Sequence, residues 1–495
     1  MRTVKRRSAK NASRPGVRRV RVIRRQLAVR PRSTSRLKRV TGKLLKLRPR
    51  FRTVGQLKQA IRRELRLLNK RGQGARGKRR RLKRSRRWLN PLRPQPAAPP
   101  AVQEPGRIVV ERYFEDAAYH ARTYDYTAAE LQESINLMQR LTPGGEYRTA
   151  LWFIPHFIYA FYGGIHTIFR FADYLARRHG IRNSFAIVGV AEVTNQPQLI
   201  AEAFPLLADS SFYAVANEDY TLSHIPAHDM AFCTAWQTAY PLLKFNRVRQ
   251  KLYFMQDYEP YFYPAGTIFG LAEATYRFGF KAVCNTMALK ESYDEFGGRA
   301  IGFTPAFDRR IFYPGTAPIG EKERYRIVFY GRPFGIRNCF ETGIEALRRV
   351  KQQMGDRVEI ISAGGPWDVA QYGMEGIISN LERLPYEQTG EFYRSCDLGL
   401  SLMMTRHTSY LPIELMASGC PVVTNTSRWK TWLLKDNVNC LLTEPTAASV
   451  ADRVIQGLTD HELRRRVVQG ALETSRVHPE WDGEFDKVMK FIVHD

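Results

Sequence analysis

Arg326-Ile-Val-Phe-Tyr-Gly-Arg-Pro-Phe-Gly-Ile-Arg337 opens on an apolar, aromatic run of strand length and passes directly into a glycine-containing loop with two arginines. The run Arg326–Tyr330 has the continuous apolar character of a strand covered on both faces, the signature of a parallel sheet. The loop then falls at the carboxyl end of that strand, where open α/β sheets hold their ligands. Two guanidinium groups in that place suit a diphosphate, because each can fork onto two oxygens. A pair of surface salt bridges is the plainer use of the same residues.

Outward from this stretch the pattern alternates. Downstream come a helix over Asn338–Gln353, a strand at Val358–Ser362, a helix at Glu387–Ser395, a strand at Leu398–Met403, a helix from Pro412 and a strand at Pro421–Thr424. Helices at Ala447–Leu458, Glu462–Thr474 and Phe485–Ile492 close the chain. Upstream, Ala150–Pro155 reads as a strand, followed by a loop with Gly163-Gly164 and a helix to about His179 that has Ile165, Ile168, Phe169, Ala172, Leu175 and Ala176 on one face. Short apolar runs follow at Phe185–Val188, Met230–Cys233, Leu252–Met255, Ala282–Cys284 and Ala300–Gly302. The alternation predicts an α/β chain of two doubly wound Rossmann-like domains facing a central cleft. The Pro- and Gly-rich segment Phe307–Glu323 serves as the linker. The expected division is a basic arm and Pro-rich linker over 1–100, an adapter with one helix (Thr127 to Leu141) over 101–145, and domains over 146–315 and 316–476. A final helical segment over 477–495 would pack back on the first domain.

Composition supports this and removes other classes. With 44% hydrophobic and 25% charged residues in 495, the chain is globular and long enough for two or three domains. The net charge of +31 would suggest a nucleic-acid binder, but it is confined to one end. Residues 1–100 hold 37 Lys/Arg against one acid, Glu64, while residues 101–495 hold 41 against 46 Asp/Glu. A basic fold is excluded. The arm ends in Pro91-Leu-Arg-Pro-Gln-Pro-Ala-Ala-Pro-Pro100, an extended linker, and most of it lacks the apolar surface to fold alone. Within it, Val54–Asn69 sets Leu57, Ala60, Ile61, Leu65 and Leu68 at helical spacing among basic residues, which suits an anionic membrane surface. A soluble basic helix, a transit peptide and a phosphate-binding arm are the other uses of such a segment. Nothing in it reads bases, which disfavours nucleic acid as the partner.

No window reaches the roughly 18–20 apolar residues of a membrane span. Leu151 to Ile165 comes nearest and is broken by Pro155, His156 and the glycine pair. The N-terminus is charged but lacks the apolar core of a secretory signal. Six scattered cysteines without a C-x-x-C predict reduced, mostly buried thiols, no metal site and a cytoplasmic protein.

Three further stretches carry candidate chemistry. His407-Thr-Ser-Tyr-Leu-Pro-Ile-Glu414-Leu-Met-Ala-Ser-Gly-Cys-Pro-Val-Val-Thr-Asn425 has Ser409 where an N-cap would stand and Pro412 in the first helical turn. The free N–H groups of that turn, near Ser409, Tyr410 and Leu411, would attract a phosphate. Glu414, one turn in, could accept hydrogen bonds from sugar or ribose hydroxyls, or merely answer the helix dipole. Met255-Gln-Asp-Tyr-Glu-Pro-Tyr-Phe-Tyr-Pro264 sets Asp257 and Glu259 among four aromatics, as in a carbohydrate surface or a packed hinge loop, and the acids could supply a general base. Gly163-Gly164, flanked by His156 and His166, allows close backbone approach to a ligand but is not a dinucleotide fingerprint.

The Gly331-Arg332…Arg337 string and the Glu414-Leu-Met-Ala-Ser-Gly-Cys-Pro-Val-Val run resemble the retaining family-4 glycosyltransferases of GT-B fold. Gln256–Pro264, Tyr330-Gly-Arg-Pro-Phe and Ser409-Tyr-Leu-Pro-Ile-Glu are similar, more narrowly, to the WsaF-type rhamnosyltransferases. The resemblance covers about residues 108–495. It implies that Arg332 and Arg337, at the loop opened by Gly331, neutralise the leaving nucleoside diphosphate, with Arg337 standing where a lysine is usual. It implies that Glu414 holds the donor's ribose, that amides over Ser409, Tyr410 and Leu411 take the distal phosphate, and that Gly163 and Gly164 border the acceptor and the donor phosphates; Tyr258 is expected beside the acceptor. The first glutamate of the family's Glu–seven residues–Glu motif falls on Arg406, so the acid that usually faces the donor sugar is missing.

The expectation is therefore a metal-independent glycosyltransferase without a cofactor, taking L-rhamnose from dTDP-β-L-rhamnose. Its acceptor would be a glycan or lipid-linked glycan of a bacterial surface polysaccharide, met at the inner face of the cytoplasmic membrane with residues 1–100 on anionic lipid. A UDP- or GDP-hexose donor on the same fold, or a non-catalytic glycan- or nucleic-acid-binding protein, are the alternatives.

Overall fold

The computed structural model describes residues 115–140, 145–161, 163–217, 222–316 and 319–494. The basic arm and the helix expected over 54–69 lie outside the described residues.

Seven strands form the first sheet: β1 (Thr149–Pro155), β2 (Arg182–Val188), β3 (Ser211–Val215), β4 (His228–Cys233), β5 (Val248–Met255), β6 (Lys281–Asn285) and β7 (Ala300–Phe303). Their order is β3-β2-β1-β4-β5-β6-β7, with every neighbouring pair parallel. The second sheet is β8 (Tyr325–Tyr330), β9 (Val358–Ala363), β10 (Ile378–Asn380), β11 (Leu398–Leu400), β12 (Val422–Asn425) and β13 (Leu441–Thr443). It runs β10-β9-β8-β11-β12-β13 and is also parallel throughout. Residues 115–123 are helical, so the adapter has a second helix besides the one expected, and there follow the helices α1 (Ala128–Gln139), α2 (Gly163–His179), α3 (Gln196–Ala203), α4 (Trp236–Lys244), α5 (Thr267–Ala274) and α6 (Met287–Asp294) around the first sheet. The remainder are α7 (Phe340–Met354), α8 (Tyr386–Arg394), α9 (Tyr410–Ala417), α10 (Ala447–Thr459), α11 (His461–Arg476) and α12 (Trp481–His494).

Strand order reverses between β1 and β4 in one sheet and between β8 and β11 in the other. At such a point the connections leave in opposite directions and open a crevice at the strands' carboxyl ends. The stretch that follows β1 carries Gly163-Gly164, the stretch that follows β8 carries Arg332 and Arg337, and the one after β11 leads to Glu414. Three of the motifs legible in the sequence thus stand at switch points.

Burial on both faces explains the apolar strands. Apolar clusters cover each side of the first sheet. Trp152 of β1 stacks on Phe232 of β4 with ring centroids 4.1 Å apart, and its indole N–H donates to Asn183 Oδ1 at 2.8 Å. Phe485, Val488 and Ile492 of α12 lie in the same cluster as Trp152, so the last helix packs on the first sheet. The Gln250 side-chain amide donates to the Ile492 carbonyl, at 3.3 Å, to fasten it. On the opposite face α1, capped by reciprocal Thr127 and Glu130 bonds, meets the buried Lys251. That ammonium donates to Ser134 Oγ and to the Leu243 carbonyl, and burial lowers its pKa to about 7.

Some boundaries differ from the sequence expectation. Gly163 and Gly164 are the first residues of α2, not a loop before it. β11 ends at Leu400, with a last bond from the Ser401 N–H to the Val423 carbonyl at 3.0 Å, so Leu402 and Met403 leave the sheet early and join the loop leading to the cleft. The helix expected from Pro412 begins at Tyr410.

Candidate functional site

A cleft of about 1180 Å³, its open mouth included, lies between the two sheets. Gly163, His166, Thr167 and Arg170 of α2 form its first-domain wall, and Arg332, Gly364, Arg383, Tyr386, Ser409, Tyr410, Leu411 and Glu414 are on the facing wall. The charged side chains lining it are Arg170, Arg332, Arg383 and Glu414. Burial drives the His166 imidazole down to about 3, so it adds no charge near neutrality. The wall carries an excess of positive charge, as an anionic ligand requires.

Glu414 faces this cleft half-buried, and among the described residues its carboxylate makes no hydrogen bond or ion pair. Burial raises it to about 7. A carboxylate left unpartnered in a partly dry wall costs stability unless a ligand supplies donors. Ser409 stands at the N-cap of α9, but its side chain makes no capping bond, so the hydroxyl expected to satisfy the first turn does not do so. Arg332 reaches the Tyr330 hydroxyl, with Nη1 3.0 Å from it. Gly364 sits at φ +143°, and a Cβ there would stand 3.0 Å from the Tyr330 ring and 3.1 Å from the Arg332 side chain. The wall beside Arg332 therefore needs glycine.

Other candidates lie elsewhere. Arg337 does not line the cleft: its Nε is 2.9 Å from Asp257 Oδ2 and its guanidinium lies 4.1 Å over the Phe262 ring. Asp257 is buried and also meets His407 Nε2 at 3.3 Å and the Thr405 hydroxyl. Burial alone would raise its carboxyl, but the charges and hydrogen bonds from His407, Arg337 and Thr405 outweigh it and hold the group well below the usual carboxylate range. Glu259 is buried as well, accepting from the Trp236 backbone N–H and from the Tyr253 hydroxyl at 3.1 Å. Burial pushes it up to about 8. Neither acid is placed to take a proton in the cleft. Tyr258, expected at the acceptor, is buried, with its hydroxyl on Glu273 at 3.3 Å. Gly331 is a packing glycine, since a Cβ there would stand 2.2 Å from Ser362 Oγ. Gly164 faces Gln256, while Gly163 leaves room for the Tyr410 ring, 3.0 Å from where its Cβ would be.

The segment 405–410 ties the two walls together. Thr405 and His407 reach Asp257. Arg406 turns away from the cleft to Glu295 at 2.9 Å and lies 4.0 Å over the Tyr258 ring. The Tyr410 hydroxyl is 2.7 Å from both Thr167 Oγ1 and Asn285 Nδ2. Sequence reasoning missed Thr405, Asn285, Arg170 and Arg383. Of these only Arg170 left a trace, as part of a polar stripe on α2.

Two parallel Rossmann-like sheets with a shared cationic cleft are the GT-B architecture, and solved structures of that fold align with the chain. Sucrose-phosphate synthase from Thermosynechococcus elongatus matches with a TM-score of 0.53 at 13% identity, covering 70% of this chain and 98% of that one. The Anabaena protein HepE in complex with UDP-glucose matches with a TM-score of 0.54 at 14% identity, covering 70% and 99%. More narrowly, the family model of the WsaF N-terminal domain matches residues 159–287, and that of the WsaF C-terminal domain matches residues 325–455. The chain belongs to this family, the WsaF-like glycosyltransferases of GT-B fold. It is also 41% identical over 385 residues to the O-antigen biosynthesis protein RfbC of Myxococcus xanthus, covering 76% of this chain and 30% of RfbC. The chain thus spans less than a third of that relative's length.

Proposed function

We propose that the chain is a glycosyltransferase that moves L-rhamnose from dTDP-β-L-rhamnose onto a growing bacterial surface polysaccharide, with retention and without a metal ion. The unpartnered Glu414 carboxylate in a cationic cleft carries this reading. That carboxylate is an acceptor for the free hydroxyl of the donor's deoxyribose. The Arg332 guanidinium and the first-turn N–H groups of α9 stabilise the charge that develops on the departing diphosphate, the work a metal does in other enzymes. Asp257 and Glu259 are committed elsewhere, so no side chain is assigned as base, which fits attack from the leaving-group face. The similarity to RfbC supports a polysaccharide acceptor.

The experiment is donor turnover with chelator present, reading nucleotide release from dTDP-rhamnose, UDP-glucose and GDP-mannose. Release from dTDP-rhamnose alone, unchanged by chelator, is expected. Release only from UDP-glucose or GDP-mannose would move the proposal to that donor, and a requirement for added metal would overturn its metal-free part.

Residues 1–100, with 37 Lys/Arg against one acid, are assigned to anionic lipid, at roughly 1 kcal/mol for each basic residue near the surface. Among the described residues no helix is long and apolar enough to cross a membrane. The full chain should sediment with phosphatidylglycerol vesicles at low salt, and a chain lacking residues 1–100 should not. Equal sedimentation of the two would contradict the assignment.

A further inference from the structure

On α2 the residues Gly163, His166, Thr167 and Arg170 recur at the i, i+3, i+4, i+7 spacing of one helical face, and all four line the cleft. The opposite face of the helix is buried in the core through Ile168, Phe169, Ala172 and Leu175. Arg170 is therefore fixed toward the cleft by the packing of its neighbours. Its guanidinium lies 5.2 Å from the Trp481 ring, and among the described residues it makes no hydrogen bond or ion pair. The acids around it are each matched to another arginine: Asp308 to Arg310 at 3.1 Å, Asp482 to Arg177 at 2.7 Å and Asp173 to Arg177 at 3.7 Å. A half-buried guanidinium without a paired acid, in the wall of a cleft, is a site for an anion.

The second arginine of the β8 loop does not serve this purpose, since Arg337 is held against Asp257. We propose that Arg170 supplies the second guanidinium for the donor's diphosphate, reaching the distal phosphate from the first domain while Arg332 holds the diphosphate from the second. This rests on the cleft being the donor site. With the nucleoside held on the second-domain wall by Glu414, the part of the donor that meets α2 is the distal phosphate and the sugar beyond it. Binding of the diphosphate then closes an electrostatic bridge across the cleft.

The test is calorimetric titration of the full chain with dTDP and dTMP, or with UDP and UMP if the base preference runs that way, for wild type, Arg170→Gln and Arg170→Lys. Arg170→Gln should weaken the diphosphate about ten- to a hundredfold, the loss of charge-assisted hydrogen bonds. It should weaken the monophosphate less than about threefold on the same reasoning, because only the second phosphate is touched. Arg170→Lys keeps the charge and the stem against Trp481 but not the fork, and should fall between, again on the diphosphate alone. A purely structural role would move both nucleotides together. Equal loss on both, or no loss on either, overturns the proposal, and Arg170→Lys decides it should Arg170→Gln not fold. A wild-type chain that binds neither dTDP nor UDP would instead overturn the donor-site reading.

Discussion

Asp257→Asn is expected to lower the thermal unfolding midpoint on the order of 10 °C and to cut turnover with it. The carboxylate is buried between two domains and is the counter-charge of Arg337, at 2.9 Å, with His407 at 3.3 Å and Thr405 beside it. Asparagine keeps the shape and one acceptor but leaves the Arg337 guanidinium facing a neutral amide in a dry place. Breaking a buried pair in this way costs about 3–5 kcal/mol. Thr405 and His407 belong to the segment that leads to Ser409 and Glu414, so the loss also frees the cleft's second wall from the first.

The pH dependence has a definite sign. The folded-state carboxyl of Asp257 lies below its ordinary value, so its contribution is present above the ordinary carboxylate range and is lost as pH falls toward the folded-state pKa. The stability gap between wild type and Asp257→Asn should therefore narrow in acid, and differential scanning calorimetry from pH 7 down to pH 3 would show it. A gap that stays constant would mean that the charge of Asp257 is not what ties the walls.

Glu414→Gln should reduce kcat/KM for the nucleotide sugar about 10²-fold or more, with the fold intact. The carboxylate has no partner in the protein to lose, so the substitution removes acceptors for substrate hydroxyls and little else. Because burial raises Glu414 to about 7, its ionised fraction changes most around neutrality. Hydrogen bonds from a sugar ring favour the ionised form. Affinity for the donor should rise between pH 6 and pH 8 and level off above, whereas Glu414→Gln should be flat. The intact nucleotide sugar is the right probe, since its phosphates carry no titrating proton in that window. A rise that persists in Glu414→Gln would point to another group.

The sequence shows the fold where strands are covered on both faces and the site where a motif sits at a switch point. Ala150–Pro155 and Arg326–Tyr330 are continuous apolar runs because helices cover both sides of a parallel sheet. The strands it hid, Ser211–Val215, Ile378–Asn380 and Leu441–Thr443, are sheet edges. Paired on one side only, two of them just three residues long, they leave a short and mixed hydrophobic signal. In the site, Glu414 and Arg332 were legible because a helix start and a strand end fix where they point. Arg337, four residues beyond Pro333 in an irregular loop, looked equivalent to Arg332. Its commitment to Asp257, like that of Tyr410 to a threonine 243 residues away, exists only once the two domains face each other.

The most direct test of the donor cleft is a thermal-shift titration of wild type and Glu414→Gln with dTDP, UDP and GDP, run with chelator and then with magnesium. A nucleotide at a hundred times its dissociation constant should add about 2.7 kcal/mol to the wild type. The account predicts an upward shift with dTDP that chelator leaves unchanged and that Glu414→Gln largely removes. A flat response to all three nucleotides would contradict it.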